Sequence, residues 1–173
     1  LDLGSSSIKL AKQSGKKVET LAIVANPLGK VKLEAEAEVT RLAEIIKKLL
    51  QDNKITQKKF RVVVPEGLVY SQVINLPVLS DAELASAIKW EAEQYVPEPL
   101  EEVELSWEVI DRPKNKSGNG KMRVYLAAAN KKMINSLMAV FSQIGLEPER
   151  IEPEMVPAAR AVILEKSLAG ATM

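Results

Sequence analysis

The sequence predicts an α/β protein with an α+β insertion, and two observations support this class. Short segments with the two-residue period of strands, or with uninterrupted apolar residues, occur together with longer segments that have the 3.6-residue period of helices. Along the chain these segments follow the order βββαβ, then βαββ, then αβα. We therefore expect one α/β lobe, formed by residues 1–66 and 130–173, and a βαββ subdomain inserted at residues 67–129.

The first group of elements contains three strands, a helix and a fourth strand. Glycine, proline and asparagine residues between the segments provide the turns. The expected strands are residues 1–3, 8–12, 18–25 and 60–64, and the expected helix ends at Leu50 with the apolar stripe Val39, Leu42, Ala43, Ile46, Leu49 and Leu50. The fourth strand is almost entirely apolar, which is typical of a parallel strand covered on both faces.

The middle group has three strands in which apolar and polar residues alternate. Ser80 and Glu83 form a capping box that predicts the start of its helix, and Pro97 ends that helix. The expected strands are residues 69–76, 103–109 and 122–128, with a polar hairpin tip at residues 112–120. We expect this group to have a small core of its own. The predicted members of that core include Val73, Leu84, Ile88 and Trp107.

The last group contains a helix, a short strand and a final helix. The apolar stripe of the first helix is Met133, Ile134, Leu137, Met138, Phe141 and Ile144. Gly145 follows it as the expected left-handed cap. We expect the strand at residues 150–152 and the final helix at about residues 156–167. Because helices connect the strands of the lobe, its first, fourth and fifth strands should pair in parallel, with the first in the centre.

Composition excludes several kinds of chemistry. The 173 residues include no cysteine and no histidine, which removes disulfides, thiolate nucleophiles and the usual general base. Any metal should therefore be a hard cation such as Mg²⁺, bound by oxygen atoms. The formal charge is only +1 and aromatic residues are 4% of the chain, so we expect no nucleic-acid partner. No apolar run has the length of a membrane span.

The first hairpin carries the sequence Asp2-Leu3-Gly4-Ser5-Ser6-Ser7-Ile8-Lys9, which has the pattern D-x-G-S-x-x-x-K. This pattern resembles the start of the superfamily that contains actin, the heat-shock chaperones and the sugar kinases. Residues 145–154 and the alanine-rich residues 157–162 are similar to the second half of the same lobe. The resemblance implies an RNase H-like, actin-type lobe that binds ATP and Mg²⁺.

The inserted subdomain makes the resemblance more specific. It is similar to the extra subdomain of the FtsA and PilM branch, and Leu76-Pro77 together with residues 91–97 and 99–103 is closest to the PilM family. Glu98 departs from that family, which often has an apolar residue between the two prolines. The resemblance covers nearly the whole chain. The chain begins at Leu1 within an expected strand and ends on a weak tail at residues 169–173, so we expect it to be a fragment at both ends. Because the second lobe of the family is missing, we expect the N-terminal half of such a protein.

The residues of the first hairpin fit a phosphate site. Gly4 allows a tight turn and the close approach of a ligand, and the amides of residues 5–7 can point at anionic oxygens. The resemblance implies that Asp2 holds Mg²⁺ through water and that Lys9 neutralises the β- or γ-phosphate of ATP. The alternative is an ordinary hairpin with a serine-rich turn.

A carboxylate near the fifth strand is the candidate for catalysis. The resemblance implies an acidic or amide residue just after that strand, where it orients the water that attacks ATP. Glu154 is the first candidate and Glu152 the second, because the chain has no histidine for this task. The alternative is that Glu154 only interacts with the dipole of the last helix. Weak ATPase activity of the full-length protein stays open, and we expect none from this fragment.

The PilM resemblance implies an ATP-binding adaptor of the type IV pilus assembly platform. Such a protein lies in the cytoplasm, at the inner face of the cytoplasmic membrane, and binds the N-terminal tail of a PilN-like membrane protein. Other platform proteins and further copies of the chain are the remaining expected partners. Two alternatives stay open: a filament-forming, membrane-tethered division or scaffold protein like FtsA, and a sugar or metabolite kinase of the same superfamily.

Overall fold

The computed structural model describes residues 1–15, 17–113 and 120–168, with side chains through residue 162. Lys16 of the predicted first turn and residues 114–119 of the predicted hairpin tip lie outside the described residues.

The described residues form eight strands and four α-helices in two compact units. The elements are β1 (Asp2–Leu3), β2 (Ser7–Ser14), β3 (Lys17–Ala25), α1 (Glu36–Asp52), β4 (Lys59–Val64), β5 (Val69–Pro77), α2 (Asp81–Tyr95), β6 (Val103–Asp111), β7 (Lys121–Asn130), α3 (Lys131–Gln143), β8 (Glu147–Pro153) and α4 (Met155–Leu168). The first unit consists of Leu1–Leu68 with Asn135–Met173, and the second unit is Val69–Ile134.

The first unit is built on a five-stranded sheet with the order β3-β2-β1-β4-β8. The central strand β1 pairs antiparallel with β2 and parallel with β4, and β4 pairs parallel with β8. This confirms the predicted parallel pairing of the first, fourth and fifth strands of the lobe. The carboxyl ends of these three strands therefore meet at one edge of the sheet, which is where ligands commonly bind in sheets of this kind.

One face of this sheet contributes to the buried core of the first unit. Its inward residues include Leu3, Ile8, Val62 and Val64, which alternate with more exposed neighbours as side chains of a strand must. The stripe predicted for α1 is buried in full, and its members are Val39, Leu42, Ala43, Ile46, Leu49 and Leu50. Apolar burial of this kind is the main source of stability in a unit of this size.

The start of α1 depends on one glutamate, because the residue at the cap position is Ala35. Glu38 Oε2 accepts hydrogen bonds from the backbone N–H groups of Glu34 at 2.8 Å and Ala35 at 3.1 Å. Lys30 Nζ lies 2.8 Å from Glu38 Oε1. The hydrogen bond from Lys30, together with those from the two amides, lowers the pKa of Glu38 from 4.5 to about 2.

The buried face of α3 differs from the predicted stripe. Met138 was predicted to be buried but is exposed, whereas Val140 is fully buried together with Leu137 and Phe141. The buried positions follow the i, i+3, i+4 spacing of one helix face, and that face is rotated away from Met138. Gly145 has a φ of +67°, which confirms the predicted left-handed cap.

The second unit is a three-stranded antiparallel sheet with the order β5-β7-β6, and α2 packs on one of its faces. The capping box is confirmed, since Ser80 Oγ accepts from the N–H of Glu83 and the Glu83 carboxylate accepts from the N–H of Ser80. The buried core consists of Ile74, Leu76, Leu84, Ile88, Ala92, Val96, Val103, Met122, Val124, Leu126 and Ala128.

The prediction is wrong for two of the four residues expected in this core. Leu84 and Ile88 are fully buried, but Val73 is 41% exposed and Trp107 is 39% exposed. Val73 is adjacent to the buried Ile74 in the strand, so it points to the opposite face of the sheet. Trp107 pairs with Leu126 on the helix-covered face, but it lies on the edge strand β6, where no further strand covers it.

Candidate functional site

A row of side chains crosses the carboxyl edge of the five-stranded sheet. Asp2 of β1 pairs with Lys9 of β2 on one side and with Val63 of β4 on the other. Val63 pairs in turn with Glu152 of β8. Residues in register on neighbouring strands point to the same face, so the predicted residues Asp2, Lys9 and Glu152 share the face opposite to the buried core.

The turn between β1 and β2 places backbone amides beside this row. The N–H of Gly4 donates to the carbonyl of Ser7 at 2.9 Å. A Cβ atom at position 4 would lie 2.7 Å from the same carbonyl oxygen, so the turn can close only with glycine there. Within the described residues, the amides of Ser5 and Ser6 donate to no other group of the chain. They are therefore available to an anion.

Asn26, which the sequence analysis did not identify, holds this turn. It is 6% exposed, and its Nδ2 donates to the carbonyls of Gly4 and Lys30, each at 3.0 Å. Its backbone N–H donates to the carbonyl of Ser6 at 2.9 Å. Its Oδ1 accepts from the N–H of Leu28 at 3.1 Å. The Asn-Pro dipeptide at residues 26–27 is a turn signal, but it gives no indication of this contact across 22 residues.

Asp2 and Lys9 form an ion pair in the structure. Lys9 Nζ lies 2.8 Å from Asp2 Oδ2, and their side chains are 54% and 33% exposed, respectively. The hydrogen bond to Asp2 and its charge raise the pKa of Lys9, and the charge of Glu154 adds to this effect. The charge of Glu154 therefore acts on Lys9. The three charged candidates Asp2, Lys9 and Glu154 thus lie in one region.

The two candidate glutamates have different environments. The carboxylate of Glu152 is 8% exposed and accepts hydrogen bonds from Arg150 at 3.1 Å and from Arg160 at 2.9 and 3.4 Å. Burial raises the pKa of Glu152, but the hydrogen bonds from Arg160 and Arg150 outweigh it, and the net pKa lies below the ordinary value. Glu154 is exposed, and its N–H donates to the carbonyl of Val64 at 3.0 Å. Glu154 is therefore the carboxylate that can approach a ligand.

The donor set fits a magnesium phosphate better than a bare metal ion. Among the described residues, no group of three or more acidic side chains is placed to hold a metal by itself. Mg²⁺ usually binds to one or two carboxylates and takes its remaining ligands from water and phosphate oxygens. Asp2 could supply that carboxylate, while Lys9 and the amides of Ser5 and Ser6 could bind the phosphate oxygens.

An apolar depression of about 560 Å³ adjoins Asp2 and Lys9. It is lined mainly by residues of β2 and β3, among them Ala11, Leu21 and Ile23. Leu21 is 75% exposed and Ile23 is 67% exposed. The face that carries the charged row therefore continues into an uncovered apolar surface within the first unit.

Glu98, the departure from the family pattern, has a defined role within the second unit. Its carboxylate accepts hydrogen bonds from Tyr70 Oη at 3.3 Å and from Asn130 Nδ2. Asn130 Oδ1 accepts in turn from the N–H groups of Lys132 and Met133, so it caps the N-terminus of α3. Desolvation, and to a lesser extent the charge of Glu98, raises the pKa of Tyr70. Glu98 thus links the loop at residues 97–99 to the start of α3.

The sheet order, the glycine turn and the inserted βαββ unit together define the fold class as an RNase H-like lobe of the actin type with an inserted subdomain. The family of the type IV pilus assembly protein PilM matches residues 1–170. The chain belongs to this family.

The solved structures that are similar to the chain include the following two. The PilM-PilN type IV pilus biogenesis complex matches with a TM-score of 0.74 and 28% identity, over 88% of this chain and 46% of that chain. The cytoplasmic domain of EpsL, an inner-membrane component of the type II secretion system of Vibrio cholerae, matches with a TM-score of 0.57 and 14% identity. That second match covers 88% of this chain and 54% of the other, and it supports the fold alone.

The chain thus spans about half of the length of these relatives. None of the helices in the described part of the chain has the length and apolar composition needed to cross a membrane.

Proposed function

We propose that the full-length protein is an ATP-binding adaptor of the type IV pilus assembly platform, and that residues 1–173 provide the phosphate and magnesium side of its nucleotide site. Membership of the PilM family supports the role in pilus assembly. The observation that carries the nucleotide part is the ion pair of Asp2 and Lys9 beside a glycine turn whose Ser5 and Ser6 amides have no partner among the residues that the structure describes.

Nucleotide binding would exchange this ion pair for two ligand contacts. Lys9 neutralises Asp2 in the structure. Asp2 would hold the metal of a magnesium nucleotide, and the ammonium group of Lys9 would bind a β- or γ-phosphate oxygen. The amides of Ser5 and Ser6 bind further phosphate oxygens. Bound Mg²⁺ would supply the charge neutralisation of the phosphates.

Hydrolysis, if it occurs in the full-length protein, would use Glu154. This residue is exposed at the end of β8, and its charge acts on Lys9. It could accept a hydrogen bond from a water molecule and orient that water toward the terminal phosphate. Glu152 would instead have a structural role beside the site, because Arg150 and Arg160 already donate hydrogen bonds to its carboxylate.

The proposed partner is the N-terminal tail of a PilN-like membrane protein. The support is the likeness to the chain in the PilM-PilN complex, at 28% identity. Through this tail the protein would reside at the cytoplasmic face of the inner membrane, with only indirect membrane contact. Other platform proteins and further copies of the chain remain candidate partners.

Binding of synthetic tails to the full-length protein tests the adaptor role. Peptides from the N-termini of PilN-like membrane proteins should bind in calorimetry, whereas peptides of the same composition in scrambled order should not. The same protein should bind Mg-ATP. Failure of every tail to bind would contradict the adaptor role, and failure of Mg-ATP to bind would contradict the nucleotide site.

A further inference from the structure

Asn26 is a buried polar residue that the proposed binding of the nucleotide does not use directly. It is 6% exposed and lies at the end of β3, where its side chain and backbone N–H together make four hydrogen bonds. Two of these bonds reach the carbonyls of Gly4 and Ser6, on either side of the amide of Ser6. Asn26 therefore ties the turn that presents amides to an anion to the end of β3.

Because the peptide bond is planar, these two contacts also fix the orientation of the neighbouring N–H groups. The carbonyl of Gly4 and the N–H of Ser5 belong to one peptide plane and point in opposite directions. The carbonyl of Ser6 shares its plane with the N–H of Ser7 in the same way. When Asn26 binds both carbonyls, it fixes two planes of the turn, and their N–H groups point away from Asn26.

We propose that Asn26 is a positioning residue of the anion site, which sets the affinity for phosphate by holding the β1–β2 turn and does not itself touch the ligand. This inference rests on the proposed nucleotide function. Preorganised amides bind an anion more tightly because less conformational freedom is lost on binding. Gly4 permits the turn, and Asn26 keeps it in one conformation.

The test compares Asn26→Ala with Asn53→Ala in the full-length protein. Asn26→Ala removes the Nδ2 donor to the carbonyls of Gly4 and Lys30 and the Oδ1 acceptor for Leu28, but it keeps the backbone bond to Ser6. Asn53→Ala is the matched control, because Asn53 Nδ2 also donates to a backbone carbonyl, that of Leu49 at 2.8 Å, at the end of α1. Asn26→Ser is the milder variant if Asn26→Ala does not fold.

Calorimetry with Mg-ATP and with magnesium tripolyphosphate is the first readout. We expect Asn26→Ala to bind both ligands about tenfold more weakly. The reason is that Asn26 positions amides that bind phosphate groups, which both ligands have, and not the base. Asn53→Ala should bind both with the affinity of the unchanged protein. Selective ¹⁵N-serine labelling is the second readout. It should show an altered amide signal of Ser5 in Asn26→Ala, because the peptide plane of Ser5 loses its contact, and no altered signal in Asn53→Ala.

The outcomes separate this inference from the function on which it rests. If the unchanged protein binds Mg-ATP and a folded Asn26 variant binds it equally well, the positioning role is overturned while the nucleotide site stands. If the unchanged protein binds neither ligand and its Ser5 and Ser6 signals do not move, the nucleotide site is overturned and the positioning role with it.

Discussion

At the scale of single residues, Asp2 and Lys9 neutralise each other in an ion pair. This ion pair predicts how substitutions of Asp2 and of Lys9 should differ in their effects. The side chains of both partners are about one-third exposed or more, and exposed ion pairs contribute little to stability. Removing either partner should therefore leave the fold intact. In the proposed ligand binding the two are not equivalent, because the Asp2 carboxylate would position a metal that contacts several phosphate oxygens, whereas Lys9 would provide one charge.

We predict that in the full-length protein Asp2→Ala weakens Mg-ATP binding more than Lys9→Ala does. The loss for Lys9→Ala should be about tenfold or more, as for a charge-assisted hydrogen bond. With a chelator in place of magnesium, Asp2→Ala should weaken ATP binding little, or even strengthen it. The reason is that Lys9 is then released from Asp2 and a repelling carboxylate is gone. Calorimetry in both conditions measures these affinities.

Asp52→Ala is the control for this comparison, since Asp52 forms an ion pair of 2.9 Å with Lys48 on α1, away from the site. It should change neither affinity. Equal losses for Asp2→Ala with magnesium and with the chelator would indicate that Asp2 acts structurally. The assignment of Asp2 to the metal would then be wrong.

The sequence indicates site residues when they belong to a local pattern. Asp2, Gly4 and Lys9 lie within eight consecutive residues, and the sheet register brings Asp2 and Lys9 together in the structure. Asn26 is not part of any pattern, because its role depends on the pairing of β2 with β3. The two arginines that engage Glu152 were missed for the same reason, since Arg160 reaches it from α4.

At the scale of the elements, the start of α1 depends on the charge of Glu38, which predicts a pH effect on stability. The pKa of Glu38 is lowered from 4.5 to about 2 in the folded chain. A lowered pKa stabilises the fold fully above the unfolded value, and this contribution is lost as the pH falls from about 4.5 toward 2. We expect Glu38→Gln to lower the melting temperature near neutral pH, and we expect this difference to shrink as the pH falls from about 4.5 toward 2, where Glu38 becomes protonated.

Thermal unfolding across this pH range measures the effect, with Glu44→Gln as the control. Glu44 is also on α1 and pairs with Arg41 at 3.4 Å, but its side chain is 61% exposed. The melting temperature of Glu44→Gln should run parallel to that of the unchanged protein. A constant difference between Glu38→Gln and the unchanged protein at every pH would show that the amide contacts, not the charge, matter.

The attachment of α4 to β8 depends on Glu152, which accepts hydrogen bonds from Arg150 in the strand and Arg160 in the helix. We predict that Glu152→Ala destabilises the first unit by roughly 1–3 kcal/mol, the usual cost of losing such bonds at a buried group. Chemical denaturation measures this cost. Glu149→Ala, an exposed neighbour on β8, should change stability by less than about 0.5 kcal/mol. Similar effects of the two variants would rule out this anchoring role.

Element order was predictable because turn residues and periodicity are local signals, whereas the choice of the buried face was only partly predictable. The parallel pairing of β1, β4 and β8 followed from the crossover helices. In contrast, Met138, Val73 and Trp107 are as apolar as the true core residues, and only the tertiary packing exposes them. Periodicity therefore gives the existence of an element more reliably than the residues that it buries.

At the scale of the whole molecule, the site proposed on residues 1–173 would contact only part of a nucleotide. The charged row and the glycine turn are suited to phosphates, and the adjoining depression is shallow, with Leu21 and Ile23 exposed by 75% and 67%. The solved PilM chain is about twice as long as the matching part. Ligand sites normally enclose most of the ligand surface, and the resemblance to two-lobed actin-type proteins implies that the second lobe completes the enclosure.

We therefore predict that residues 1–173 alone bind Mg-ATP at least about tenfold more weakly than the full-length protein, because base and ribose stay in water when only the phosphates are held. The loss should be smaller for magnesium tripolyphosphate, which has no base to enclose. ATP hydrolysis by residues 1–173 should not exceed background. Calorimetry of both proteins with both ligands, combined with a phosphate-release assay, measures these differences. Micromolar affinity of residues 1–173 for Mg-ATP, equal to that of the full-length protein, would contradict the two-lobed site, and it would indicate that the depression lined by Leu21 and Ile23 holds the base.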